Sequence, residues 1–220
     1  DQAAESVHAG NPWQYQDSQA KAGGKVRPVG SGLRSEQEDT TCFAVVDSWG
    51  NAVCQLQSLQ SGWGSSIVAE DTGILLNNTQ AMFDPHPGNA LSVLPGKRVT
   101  SSMAPTIVVR DGIPEFAVGL PGGVKIFTSV LQAIVNMIDH RMSAQEAVEA
   151  PRVWTQGQDV EIEGGFSEEV RSAVVEKGHR VTPVVTIGYG MNIVQFEPGG
   201  VIAGSSCWRG DGHVVGIGGG

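Results

Sequence analysis

Glu38-Asp39-Thr40-Thr41 runs directly into the apolar stretch CFAVV, so two hydroxyls stand at the mouth of a predicted strand. Threonine suits a strand start by β-propensity alone. A threonine whose own α-amine has been freed also carries its general base with it and can act as a nucleophile. Taken by itself, Thr40 fits either reading. Gly122-Gly123 stands immediately before a long helical pattern. Unpaired N–H groups and the positive end of a helix dipole can hold an anion there, an oxyanion of acyl transfer included. The same pair also serves as a tight strand-to-helix turn that needs glycine. It does not match the G-x-x-x-x-G-K-[ST] phosphate loop. Lys97, Arg98, Ser101 and Ser102 form a third group, donors within a few residues that suit a carboxylate or an amide and equally a solvated loop.

Elements of alternating or helical period must position these groups. TTCFAVVD and NAVCQLQSL, separated by SWGN, predict a β-hairpin. PTIVVRDGIPEFAVG predicts a second, with Asp111-Gly112 at its turn. In VKIFTSVLQAIVNMIDHRM the residues Ile126, Phe127, Val130, Leu131, Ile134, Met137 and Ile138 recur at three- and four-residue spacing. They predict a helix with one apolar stripe facing a sheet or another helix. Ser143 with Glu146 forms a capping box ahead of Pro151, and Ser167 opens a further helix that stops at Gly178. Strands resume in GMNIVQFEPGGVIAGSS. Strands, helices and strands in that order predict an α+β fold with a layered sandwich.

Residues 1–39 differ from the rest: they carry few aliphatics, much Gln, Gly and Ser, and no sustained period, so they read as a loop or linker. The globular body begins at about Thr40. The 220 residues are 40% hydrophobic with 30 glycines, enough for a substantial core in one or at most two domains. A formal net charge of −9, with no basic cluster, excludes a nucleic-acid partner. No run of 18 apolar residues is present, and the N-terminus has no signal-peptide pattern. Cys42, Cys54 and Cys207 lack C-x-x-C spacing and are expected as free core thiols. His8, His86, His140, His179 and His213 lack metal-ligand spacing, so no metal and no cofactor is expected.

TTCFAVVDSWGNAV, GILLNN, PGKRVTSSMAPTIVV and GLPGGVKIFTSVLQAIVN together, in this order and spacing, resemble the small catalytic subunit of the γ-glutamyltranspeptidase family of N-terminal-nucleophile hydrolases. The resemblance covers roughly residues 40–216. It implies a four-layer αββα sandwich built jointly with a large subunit of the same precursor. Residues 1–39 would be the tail of that large subunit and residues 40–220 the small one. It implies Thr40 as nucleophile, freed by cleavage between Asp39 and Thr40 through an N-to-O acyl shift. Ser58 falls at a second hydroxyl that hydrogen-bonds the nucleophile, Gly122 and Gly123 match the oxyanion pair, and Ser101 and Ser102 match the serines that hold the substrate carboxylate.

Departures point within the family. Met82, in NNTQAMF, stands where transpeptidases carry the acid that binds the γ-glutamyl amine, and Gln60 replaces a substrate-binding asparagine. Between Phe83 and Pro95 the chain is shorter than in members with a lid loop, implying an open site. Water competes well for an acyl-enzyme in such a site. The resemblance therefore implies an amidohydrolase or acylase acting on a small-molecule amide. Three alternatives stand beside it: a γ-glutamyl enzyme that uses Asp84 for the amine, a non-catalytic binding module on the same fold, and Cys42 as nucleophile.

Overall fold

The computed structural model describes residues 39–157 and 159–218. Within these residues the chain forms two compact units, one of residues 78–101 and one of residues 39–77 and 102–218. The linker expectation for residues 1–38 lies outside the described residues.

The larger unit opens with the expected hairpin. β1 (Thr40–Val46) and β2 (Ala52–Ser58) pair antiparallel, with Thr40 opposite Ser58 and Val46 opposite Ala52. Two-residue strands follow, β3 (Val68–Ala69) and β4 (Ile74–Leu75). β5 (Thr106–Arg110) and β6 (Ile113–Gly119) form the second expected hairpin. Asp111 and Gly112 both have positive φ, 52° and 80°. This is the backbone of a type I′ turn, whose twist matches that of the flanking strands.

The long helix α1 spans Ile126–Ile138, and α2 (Ala144–Glu149) begins at Ser143 with the complete capping box to Glu146. α3 (Glu168–Glu176) is capped by Ser167, whose side chain accepts from the Val170 N–H. Around α3 lies a sheet that the periodicity did not predict: β7 (Val153–Trp154), β8 (Val160–Glu163) and β9 (Val181–Val184). β8 and β9 run parallel with α3 as their crossover. Strands of two to four residues are too short to show a period of their own. The chain closes with β10 (Asn192–Glu197) and β11 (Val201–Ser206).

Four strands make the central sheet, in the order β11-β10-β6-β5. Phe116 through Gly119 are buried without interruption, so β6 is covered on both faces. On one face Phe116, Val118 and Leu120 meet Ile126, Val130 and Ala133 of α1 and Ala147 and Val148 of α2. On the other face the β1–β2 hairpin packs against β6 and β10. A Cβ on Gly119 would come 2.6 Å from the Cys42 sulfur and 3.0 Å from the Leu56 side chain, so only glycine permits this approach.

The stripe predicted on α1 divides in two. Ile126, Val130 and Met137 are buried, joined by Ser129 and Ala133, whereas Phe127 and Leu131 are 54% and 59% exposed and Ile138 is also exposed. An arc of seven apolar residues is wider than one sheet contact covers, and the outer part of it is left bare.

Candidate active site

Alternation along β1 and β2 decides which threonine faces inward. Thr40, Cys42, Ala44 and Val46 are the more buried set on β1, and Ala52, Cys54, Leu56 and Ser58 on β2. Successive strand residues point to opposite faces. Thr40 therefore shares the inner face with Ser58, directly across the ladder, and Thr41 lies on the outer one. The Thr40 and Ser58 hydroxyl oxygens are 2.9 Å apart.

A small network surrounds this pair. Ser58 Oγ donates to the Asp39 carbonyl oxygen at 3.2 Å and accepts from the Gln60 N–H at 2.9 Å. The Leu59 N–H also donates to the Asp39 oxygen, at 2.9 Å, continuing the β1–β2 ladder by one residue. The Asp39 carboxylate accepts from the Trp63 N–H at 3.3 Å. Gln60 and Trp63 have φ of 78° and 62°. Left-handed backbone at bulky residues costs of order 1–3 kcal/mol and persists only where surrounding contacts enforce it.

Gly122 and Gly123 begin a 3-10 turn, Gly123–Lys125, that leads into α1. Their φ values, 147° and 56°, are ones glycine adopts freely. The space is equally restrictive: a Cβ on Gly122 would stand 2.6 Å from the Gly188 Cα. The Tyr189 N–H donates to the Pro121 carbonyl at 3.0 Å, pinning the residue before the pair. Ser102 Oγ donates to the Gly123 carbonyl at 2.7 Å, so this predicted substrate-binding serine lies beside the predicted oxyanion pair.

A cleft of about 360 Å³ has Thr40 through Cys42 on one wall, with Pro121, the residue before the glycine pair, and Tyr189 and Asp211 among its other walls. Tyr189, Asn192 and the Gly210–Gly212 segment were not singled out from sequence. Their signal lay in the glycine spacing of IGYGMN and RGDGHVVG, since a Cβ on Gly190 would stand 3.0 Å from the Gly210 Cα. Asn192 also donates from its amide to the Cys42 carbonyl at 3.2 Å, tying β10 to β1.

Cys42 is buried, and its hydrogen bond with Cys54 together with burial pushes its thiol well above the usual range. It stays protonated, which argues against Cys42 as nucleophile.

In the smaller unit Met82 ends the 3-10 helix Thr79–Met82, and Ser101 is the last residue. Asp84 has local partners there: its carboxylate accepts from the His86 N–H at 2.8 Å, from the His86 ring at 3.0 Å and from the Asn89 amide at 2.6 Å. The His86 N–H above all holds this carboxyl below its usual range.

The family model described as Gamma-glutamyltranspeptidase matches residues 2–217. The acylase ACY 1 proenzyme of Pseudomonas sp. (strain V22) is 50% identical over 185 residues, which are 84% of this chain and 33% of that protein. The glutathione hydrolase proenzyme of Bacillus subtilis (strain 168) is 36% identical over 219 residues, 99% of this chain and 37% of its own length. The chain thus spans about a third of the length of these curated relatives. Among solved structures, a Helicobacter pylori γ-glutamyltranspeptidase mutant aligns with a TM-score of 0.70 at 34% identity, covering 77% of this chain and all of that one. Sequence match and mixed helix-and-sheet fold agree, and the chain belongs to the γ-glutamyltranspeptidase family.

Proposed function

We propose that residues 40–220 are the small catalytic subunit of a self-processing amidohydrolase of the acylase type, and that residues 1–39 are the tail of its large subunit. The hydrogen bond between the Thr40 and Ser58 hydroxyls, at the Asp39–Thr40 bond, is the observation that carries this reading. Cleavage there frees the Thr40 amine. With an unperturbed pKa of about 8, that amine can serve as base near neutral pH. Thr40 Oγ attacks the substrate amide carbon, the oxyanion forms against the N–H groups of Gly122 and Gly123, and water hydrolyses the resulting ester.

By the family resemblance, Ser101, Ser102 and Gln60 correspond to positions that bind the acyl part of the substrate, and Met82 to the position of the acid that would bind its amine. The engagement of Asp84 by His86 and Asn89 supports the acylase reading over the γ-glutamyl one, because both carboxylate oxygens already hold local partners with which a substrate ammonium would compete. The acylase and glutathione hydrolase proenzymes among the relatives bracket these two substrate classes. The bare apolar side of α1 at Phe127 and Leu131, with Phe43, Val45 and Val53 exposed on the hairpin, fits burial by the large subunit in a four-layer αββα sandwich.

Intact mass spectrometry of the full precursor over time tests the reading. A chain beginning at Thr40 is expected. Thr40→Ala should block its appearance and reduce amide hydrolysis below detection, and glutaryl anilides should be cleaved at least as well as γ-glutamyl anilides. A small subunit still released from Thr40→Ala would remove Thr40 as nucleophile.

A further inference from the structure

We propose that self-cleavage has its own oxyanion site, made by the Leu59 N–H and the Ser58 hydroxyl, and that Ser58 relays the Thr40 proton to the Asp39 carbonyl oxygen. The proposal rests on the reading of Thr40 as the self-cleaving nucleophile and adds which groups carry that step.

Hydrogen-bond polarity is the basis. A carbonyl oxygen only accepts, so the 3.2 Å contact to Asp39 O uses the single proton of Ser58. The contact to Thr40 at 2.9 Å must then run the other way, with the Thr40 hydroxyl donating to Ser58. Ser58 Oγ also accepts from the Gln60 N–H, which fills its second lone pair and fixes its orientation. One continuous path results, from Thr40 O–H through Ser58 O–H to the oxygen of the bond that is to break. The Thr40 oxygen keeps its own lone pairs for attack. The Leu59 N–H, at 2.9 Å, polarises the same carbonyl from the ladder side.

The steps balance. Thr40 Oγ bonds to the Asp39 carbonyl carbon while its proton passes to Ser58 and the Ser58 proton passes to the carbonyl oxygen, giving a neutral tetrahedral adduct. Collapse breaks the carbon–nitrogen bond, and the proton of the adduct hydroxyl moves to the departing nitrogen. The product is an ester between Asp39 and Thr40 Oγ with a free α-amine, and water hydrolyses it to the Asp39 carboxylate and the Thr40 hydroxyl. Among the described residues the Asp39 oxygen accepts from Ser58 and Leu59, on the hairpin and away from the Gly122–Gly123 turn. Self-cleavage and substrate turnover thus stabilise their oxyanions at different places, with the Thr40 oxygen common to both. Once Asp39 departs, Ser58 regains a free proton to donate to Thr40.

The test uses the full precursor, following release of the Thr40 chain by intact mass. Ser58→Ala should slow release by about 10²- to 10³-fold, the usual loss on removing an oxyanion donor. Ser58→Thr should restore a rate near wild type. In mixtures of light and heavy water the wild-type rate should fall along a bowed curve, as two protons in flight require. Ser58→Ala cleaving at the wild-type rate overturns the proposal and leaves Thr40 as nucleophile. A straight-line dependence on heavy-water fraction overturns the relay even where Ser58→Ala misfolds. Release from Thr40→Ala would instead overturn the underlying reading.

Discussion

Two polar clusters in the larger unit are built from groups of similar number and opposite character. At the hairpin mouth, hydroxyls of Thr40 and Ser58 meet neutral backbone groups in a half-open setting. Beneath β8, Glu163, Arg152 and Arg209 are 2%, 2% and 7% exposed. Glu163 accepts from the Ile187 N–H at 2.6 Å, the Arg152 N–H at 2.8 Å and the Arg209 guanidinium at 2.9 Å and 2.5 Å. Arg152 donates to the Ile187 and Tyr189 carbonyls, and Arg209 to those of Val148 and Ala150. Burial lowers the Arg152 pKa; at Arg209 burial acts the same way, but the hydrogen bond and charge of Glu163 outweigh it and raise the pKa. Every strong group of the buried cluster is committed, so it fixes loops. The hydroxyl cluster keeps lone pairs on the very atom placed to react, so it can do chemistry.

Glu163→Gln is the sharpest way to break the contrast. It leaves the buried Arg209 guanidinium without its carboxylate, and breaking a buried pair costs about 3–5 kcal/mol. For a unit of this size that is a fall in Tm of roughly 6–20 °C, readable by calorimetry. Turnover per folded molecule should drop far less. An unchanged Tm would show that the cluster is not what fixes these loops.

Gly122→Ala should come next, and it should affect both properties. Its Cβ meets the Gly188 backbone and its φ of 147° disfavours any side chain. Displacing that N–H should lower the rate of acyl-enzyme formation by about 10²- to 10³-fold. Strain should add about 1–3 kcal/mol of destabilisation. Burst kinetics and thermal melts separate the two, and a normal burst in a folded variant would remove the oxyanion role.

Met82→Asp is expected to be the mildest and to alter selectivity alone. A carboxylate near a substrate ammonium gains a charge-assisted hydrogen bond of roughly 1.5–3 kcal/mol. The ratio of kcat/KM for γ-glutamyl over glutaryl donors should therefore rise about tenfold to hundredfold. A wild-type preference for γ-glutamyl donors that is lost on mutating Asp84 would reverse the substrate assignment.

Legibility in the sequence followed the range of the interactions. The hairpins at Thr40–Ser58 and Thr106–Gly119 and the caps at Ser143 and Ser167 depend on neighbours within a few residues, and they were readable. The buried cluster joins Arg152, Glu163 and Arg209 across 57 residues, and three ordinary charged residues carry no local mark of one another. Strands β7 to β9 stayed hidden because each is short and β9 contains Pro183. Within the candidate site, Thr40 was legible by its place before a strand and Ser58 only through the resemblance. The hydrogen bond from the Leu59 N–H to Asp39 was not legible, since a backbone group leaves no trace in a residue type. The two-sided character of α1 was missed because Phe127 and Leu131 read as core by hydrophobicity, whatever covers them.

The bare side of α1 also bears on the order of events in making the enzyme. Under the proposed processing, while Asp39 and Thr40 remain joined the two parts of the precursor would find each other as segments of one chain, at the high local concentration a tether provides. Under the proposed processing, cutting that bond changes assembly from a first-order to a second-order process. The exposed Phe127 and Leu131 would then face self-association in competition with the correct partner whenever the subunits come apart. Self-cleavage after folding, as proposed, would therefore act as a one-way step, and the durability of the processed protein would be set by how slowly it opens.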